Sequence, residues 1–263
     1  MSGVSPPLAD RAWPAPAPGA SPRTRAVAAQ AGLELRTLVR NGEQLLLTVL
    51  IPVVLLAGFS LDHLIKGTGV NFLVPGILAL AVMSTAFTSQ AIGTGFERRY
   101  GVLKRLGATP LRRSGLIAAK TATVLVVELG QAVLIMLVGL GLGWQPDARA
   151  DAAVSVLLLL LAGTAAFSGL ALLMAGTLRA EATLAAANLV YVVLLGVGGV
   201  IFSLDKFPAG ARPVLRLLPS GALSDGLHQV LQYGGGVPVR DLIVLLVWAA
   251  VAIGVAARVF RWE

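Results

Sequence analysis

Residues 93–115, GTGFERRYGVLKRLGATPLRRSG, hold six Lys or Arg and one acid between two long apolar stretches. A short loop this basic stays on the cytoplasmic side of a bilayer, so it orients everything around it. Outward from it, six apolar stretches approach the length of about 20 residues that a helix needs to cross hydrocarbon. They lie at about 45–61, 72–92, 116–142, 152–178, 184–202 and 242–260, and Pro52 predicts a kink in the first. The sequence therefore predicts an all-α polytopic membrane protein with six transmembrane helices.

Composition agrees. Of 263 residues, 56% are hydrophobic and 13% charged, with a mean hydropathy of +0.83; soluble domains carry about twice that charged fraction. The formal charge of +8 comes from basic residues clustered at the ends of apolar spans. That pattern reads as topology and argues against a nucleic-acid partner. With no cysteine there is no disulfide framework or thiolate metal site, and His63 and His228 fall in predicted loops, so no metal site is expected. Placing both termini in the cytoplasm puts fourteen Lys and Arg inside and six outside, with Lys120 inside a span.

Six prolines among Ala and Ser mark residues 1–23 as a disordered tail ahead of a membrane domain over 24–263. In 24–43, Val27, Leu33, Leu38 and Val39 alternate with Arg25, Glu34, Arg36 and Arg40. This suits an amphipathic helix on the membrane surface, a juxtamembrane linker being the alternative. In 203–241, Ser220 is a candidate N-cap for a short helix carrying Leu223, Leu227, Val230 and Leu231, ended by Gly234-Gly235-Gly236. Such a helix either dips into the outer leaflet or packs on the spans.

Within the basic loop, the second span continues through Glu97, Arg98, Arg99 and Tyr100 until Gly101 offers a break. Val102, Leu103 and Leu106 then form an apolar stripe beside Lys104 and Arg105. Thr109-Pro110 reads as a helix restart, Thr as N-cap and Pro at the first helical position. A stop-transfer cluster explains the charges but not Gly101 or Thr109-Pro110.

The run from Glu97 to Pro110, ERRYGVLKRLGATP, resembles the E-R-x-x-G-T-L-x-x-L-x-x-T-P signature of ABC-2 type permeases, with Val102 in place of the usual Thr. These are membrane subunits of bacterial ABC exporters, including the daunorubicin-resistance group. VPGILAL from Val74 resembles that family's opening of the second span. LPSGALSDGL from Leu218 resembles its stretch before the last span, with His228 and Gln229 where a base is usual. The resemblance implies a multi-pass protein of the bacterial plasma membrane whose 93–115 loop forms a coupling helix docking on a separate ATP-binding subunit. It implies two such subunits and a second permease chain, identical or related, with the N-terminal helix also touching the ATPase. ATP and Mg would then be bound by the partner; this chain carries no G-x-x-x-x-G-K-[ST] to cradle phosphate and no expected catalytic residue.

Ionisable groups inside spans are costly and face protein or water. Glu128, with Gln131 one turn on and Lys120 two turns back, is the candidate polar patch for a cationic amphiphile. The alternative is an interhelical hydrogen bond, with Asn188 on the fifth span as a partner. A proton-coupled transporter would need more intramembrane carboxylates, and a scaffold would not need the docking loop. Export of a drug-like amphiphile is the expected activity, and export of a lipid or glycan precursor its main alternative.

Overall fold

The computed structural model describes residues 22–61, 69–109, 112–147 and 149–259. The expected tail therefore lies outside the described residues save its last two, as do His63 and Pro110. All regular elements among the described residues are helical. α1 (Arg23–Arg40) precedes α2 (Gly42–Leu61), which contains Pro52. A continuous rod then runs from Val70 to Arg99. It consists of α3 (Val70–Val82), a π-helical segment (Met83–Ser89) and α4 (Gln90–Arg99). α5 (Val102–Gly107), α6 (Arg113–Gly141), α7 (Ala152–Thr177) and α8 (Ala180–Val197) follow. A 3-10 turn (Leu204–Lys206) and α9 (Arg212–Leu215) lead to α10 (Pro219–Leu231) and α11 (Val239–Val259).

Five helices are long and apolar enough to cross a membrane: Val70–Arg99, Ser114–Gly141, Ala152–Thr177, Ala180–Val197 and Val239–Val259. The first expected span falls on α2, whose apolar part, Thr48–Ser60, is shorter. α7 is central, running along α11 and meeting α4, α6 and α10. Its buried face is rich in small residues, among them Ala162, Gly163, Ala166, Gly169 and Ala171, which let neighbouring backbones approach closely. Phe167 of α7 meets Phe87 of the π-helical segment, ring centroids 6.3 Å apart. α8 and α11 turn Leu189, Val192, Ile243 and Leu246 outward, an arrangement suited to lipid rather than water.

α10 packs against α3, α7 and α11 and is buried along nearly its whole length. Of the two expectations for it, packing on the spans is the one seen. Leu218 holds its N-cap position and Pro219 its first turn, where the missing N–H costs nothing. Ser220, expected as the cap, instead lies one step inside the helix and fully buried.

His228, expected in a loop, sits in α10 and is buried. Its Nδ1 lies 2.7 Å from the Ser224 carbonyl and its Nε2 3.1 Å from the Phe72 carbonyl. A neutral ring donates from only one nitrogen at a time. Burial disfavours the charged ring and holds its pKa below the ordinary histidine value, against the two carbonyls and Asp225, which favour the proton. In the second-span opening, a Cβ on Gly76 would lie 2.4 Å from the Val200 carbonyl oxygen, so glycine is required for that approach.

Candidate functional site

The rod that begins at Val70 ends where Gly101 adopts φ +71, a left-handed conformation open to glycine at little cost. α5 then starts at once, directed by the burial of one side chain. Leu103 is fully buried among Leu116, Ile117, Leu172 and Ala256, from α6, α7 and α11. Lys104, Arg105 and the flanking Val102 stay exposed. Tyr100 is 68% exposed and stacks on Phe96, ring centroids 6.1 Å apart. The result is a short helix anchored by Leu103 and presenting bases and an aromatic ring outward.

Thr109 does not cap the next helix. Its hydroxyl donates back to the Leu106 carbonyl at 2.6 Å, closing α5, and α6 starts at Arg113 with Arg112 in the N-cap position. The restart expected at Thr109-Pro110 therefore lies three residues later, beyond the backward bond of the threonine.

The three charged residues that open the motif are each tied to a different part of the bundle. Glu97 meets Lys120 of α6, Nζ to Oε2 2.7 Å, and the same Nζ lies 3.3 Å from Oε1 of Glu34 in α1. Arg98 donates to the Leu178 carbonyl just past α7, and Arg99 pairs with Glu181 in the first turn of α8. Lys120 is 5% exposed, Glu34 18% and Glu97 34%. One buried ammonium thus joins α1, α4 and α6. Burial pushes the Glu34 carboxyl above the ordinary glutamate value, and Lys120 pulls it partly back.

A cavity of about 360 Å³ opens beside this cluster, bounded by α1, the π-helical segment, α4, α5 and α6. A second, of about 400 Å³, lies at the opposite end of the bundle around Asp225, His228 and Asp241. There Asp225 of the LPSGALSDGL stretch pairs with Arg216 at 3.3 Å.

Glu128 and Gln131 line neither cavity. Glu128 is 2% exposed and accepts from the Thr164 hydroxyl of α7. Gln131, equally buried, donates to the Thr48 carbonyl of α2 at 2.6 Å and accepts from Thr85 of the π-helical segment at 3.3 Å. Asn188, expected as the partner of Glu128, lies exposed on the outer side of α8. Residues 128 and 131 lie together on α6 as expected, but each turns to its own neighbour.

Sequence reasoning overlooked Glu34, Leu178 and Glu181 as partners of the motif. The signal for the first was Lys120 itself, because a cation two turns inside an apolar span calls for a carboxylate. Nothing in the sequence marked the π-helical segment.

These features define an integral membrane protein of bundled helices with a short, outwardly basic helix set into one end. A family model described as ABC-2 family transporter protein matches residues 65–258. The chain belongs to that family and is a membrane subunit of an ABC transporter, a component that works with an ATP-binding subunit. The matched region begins after α1 and α2. No curated protein matches the chain.

Proposed function

We propose that this chain is the permease half of an exporter that moves a hydrophobic or amphiphilic, drug-like compound out of a bacterial cell, as in the daunorubicin-resistance group. Two separate ATP-binding subunits, which hold the ATP and Mg, dock at α5, and both termini face the cytoplasm. The observation that carries the reading is the α4–Gly101–α5 unit. Leu103 anchors it in the bundle, while Glu97, Arg98 and Arg99 tie it to α6, the end of α7 and α8. A push on Tyr100 or Lys104 is thereby passed to helices that cross the membrane. Movement at α5 then reshapes a passage between two membrane subunits.

Asn188 supports the second membrane subunit. It lies midway along α8 on a face with Leu189 and Val192, all exposed. An amide facing hydrocarbon alone is unfavourable, whereas a two-fold axis lets it pair with its own copy. Because the chain has no cysteine, Asn188→Cys tests this directly by oxidative cross-linking in membranes. The function as a whole is tested by co-purifying the chain with the P-loop protein encoded beside it and measuring ATP hydrolysis stimulated by amphiphilic compounds in lipid. A stable complex that survives Lys104→Glu and Tyr100→Ala together would overturn docking at α5.

A further inference from the structure

We propose that the cavity between α1, α4, α5 and α6 is a binding site for an organic ammonium ion that carries an apolar chain. Its charge and its wall support this. Glu34 and Glu97 share the single ammonium of Lys120, which leaves one net negative charge when both are ionised. Lys120 is the one cationic side chain on the wall among the described residues, and it is already taken by two carboxylates. Leu33, Leu38, Val102, Leu106 and Val124 make much of the remaining wall apolar.

Two wall residues carry polar atoms without a hydrogen-bond partner among the described residues. They are Gln90 through Nε2 and Thr94 through Oγ1, and both side chains are more than nine-tenths buried. Ser168 donates to Gln90 Oε1 at 2.7 Å, which fixes the amide and leaves Nε2 over. Buried polar groups are nearly always paired, so such orphans beside a cavity point to a missing polar occupant. The volume of about 360 Å³ is that of a small-molecule site.

The site is separate from Glu128 and Gln131. A ligand in it touches α1 and α5 at once, so its arrival is felt by the unit proposed to receive the ATPase. Binding itself does not depend on the transporter reading; only its effect on ATP hydrolysis does. The charged groups facing the cavity are Glu34 from α1, Glu97 from α4 and Lys120 from α6, while α5 contributes Val102 and Leu106. Ionisation of Glu34 creates the net negative charge, so the affinity for a cation rises with pH through the range where Glu34 loses its proton.

The test uses the full chain, without ATPase, in phosphatidylcholine nanodiscs. Dansylcadaverine, a fluorescent amphiphilic primary amine, is titrated beside its N-acetylated, uncharged form. Saturable binding at least about tenfold tighter for the amine is expected, the scale of one charge-assisted hydrogen bond. Glu34→Gln should erase that preference. Thr37→Glu, on the cavity rim, should enlarge it, which keeps the test decisive if Glu34→Gln folds poorly. Leu38→Trp, which fills the space, should weaken both probes. Equal binding of the two probes, or a preference untouched by both charge variants, overturns the proposal. Replacing half the lipid with phosphatidylethanolamine then separates the sources of the ammonium group. Competition by that lipid assigns the site to a headgroup, and its failure to compete assigns it to a free amphiphilic amine.

Discussion

Lys120→Met removes the one ammonium that α1, α4 and α6 share. At an effective dielectric of about 20, contacts of 2.7 Å and 3.3 Å correspond to gross attractions of about 6 and about 5 kcal/mol. Most of that is offset by the desolvation of a fully buried lysine and by repulsion between the two carboxylates. Removing one partner of a buried pair costs about 3–5 kcal/mol, because the remaining charge is stranded. Glu34 and Glu97 keep part of their surface in contact with solvent, so a loss near the lower end, about 3 kcal/mol, is expected. The triple variant Lys120→Met, Glu34→Gln, Glu97→Gln strands no charge and should return to within about 1 kcal/mol of the native chain. The assay is equilibrium unfolding in mixed micelles of mild detergent and SDS, followed by helical circular dichroism. A single variant that costs under about 1 kcal/mol, or a triple no more stable than the single, would refute the shared-ammonium account.

Three further outcomes are expected. Gly101→Ala meets no atom within 4 Å, so its cost is the left-handed backbone alone, about 1 kcal/mol, and Gly101→Asn recovers part of it. Gly101→Leu keeps every charge and should abolish co-purification with the ATPase; if docking and transport survive it, the loop is only an anchor. Glu128→Gln keeps an oxygen to accept from Thr164 and removes a buried charge, so stability should change by under about 1 kcal/mol and export of all cargoes should respond alike. Loss confined to cationic cargo in a transport assay would instead restore Glu128 to the substrate path. His228 titrates below its unfolded value, so the stability it contributes is present at neutral pH and is lost as pH falls through the folded value. Unfolding scans between pH 7.5 and pH 5 should therefore show a decline that His228→Gln flattens.

What was legible in the sequence was what depends on local chemistry. The left-handed turn at Gly101, the apolar stripe behind Leu103 and the ends of α10 each follow from a few adjacent residues. Pairings across the bundle were not legible. Glu128 has many possible partners in a helical protein, and Thr164 rather than Asn188 is chosen by how α7 lies against α6. Glu34 and Lys120 meet because α1 folds back along α6, which no local pattern encodes. Thr109 misled because a threonine hydroxyl can close the helix behind it as readily as cap the one ahead. His228 lies in a segment whose glycines and serine suggest a loop, and only burial against α3 and α7 makes it a helix.

The π-helical segment Met83–Ser89 bears on which insertions and deletions this gene can tolerate. Each residue of an α-helix advances about 1.5 Å and turns about 100°. Deleting one residue there would let the rod relax to plain α-helix and swing everything after it by that angle. Glu97 would leave Lys120 and Arg99 would leave Glu181, although no side chain in the motif had changed. A one-residue deletion between α8 and α10, where the chain is irregular, carries no such phase error. Length in the middle of the second membrane helix is therefore under tighter constraint than the identity of most residues in it, and an alignment gap at 83–89 would mark a chain whose coupling end is wired differently.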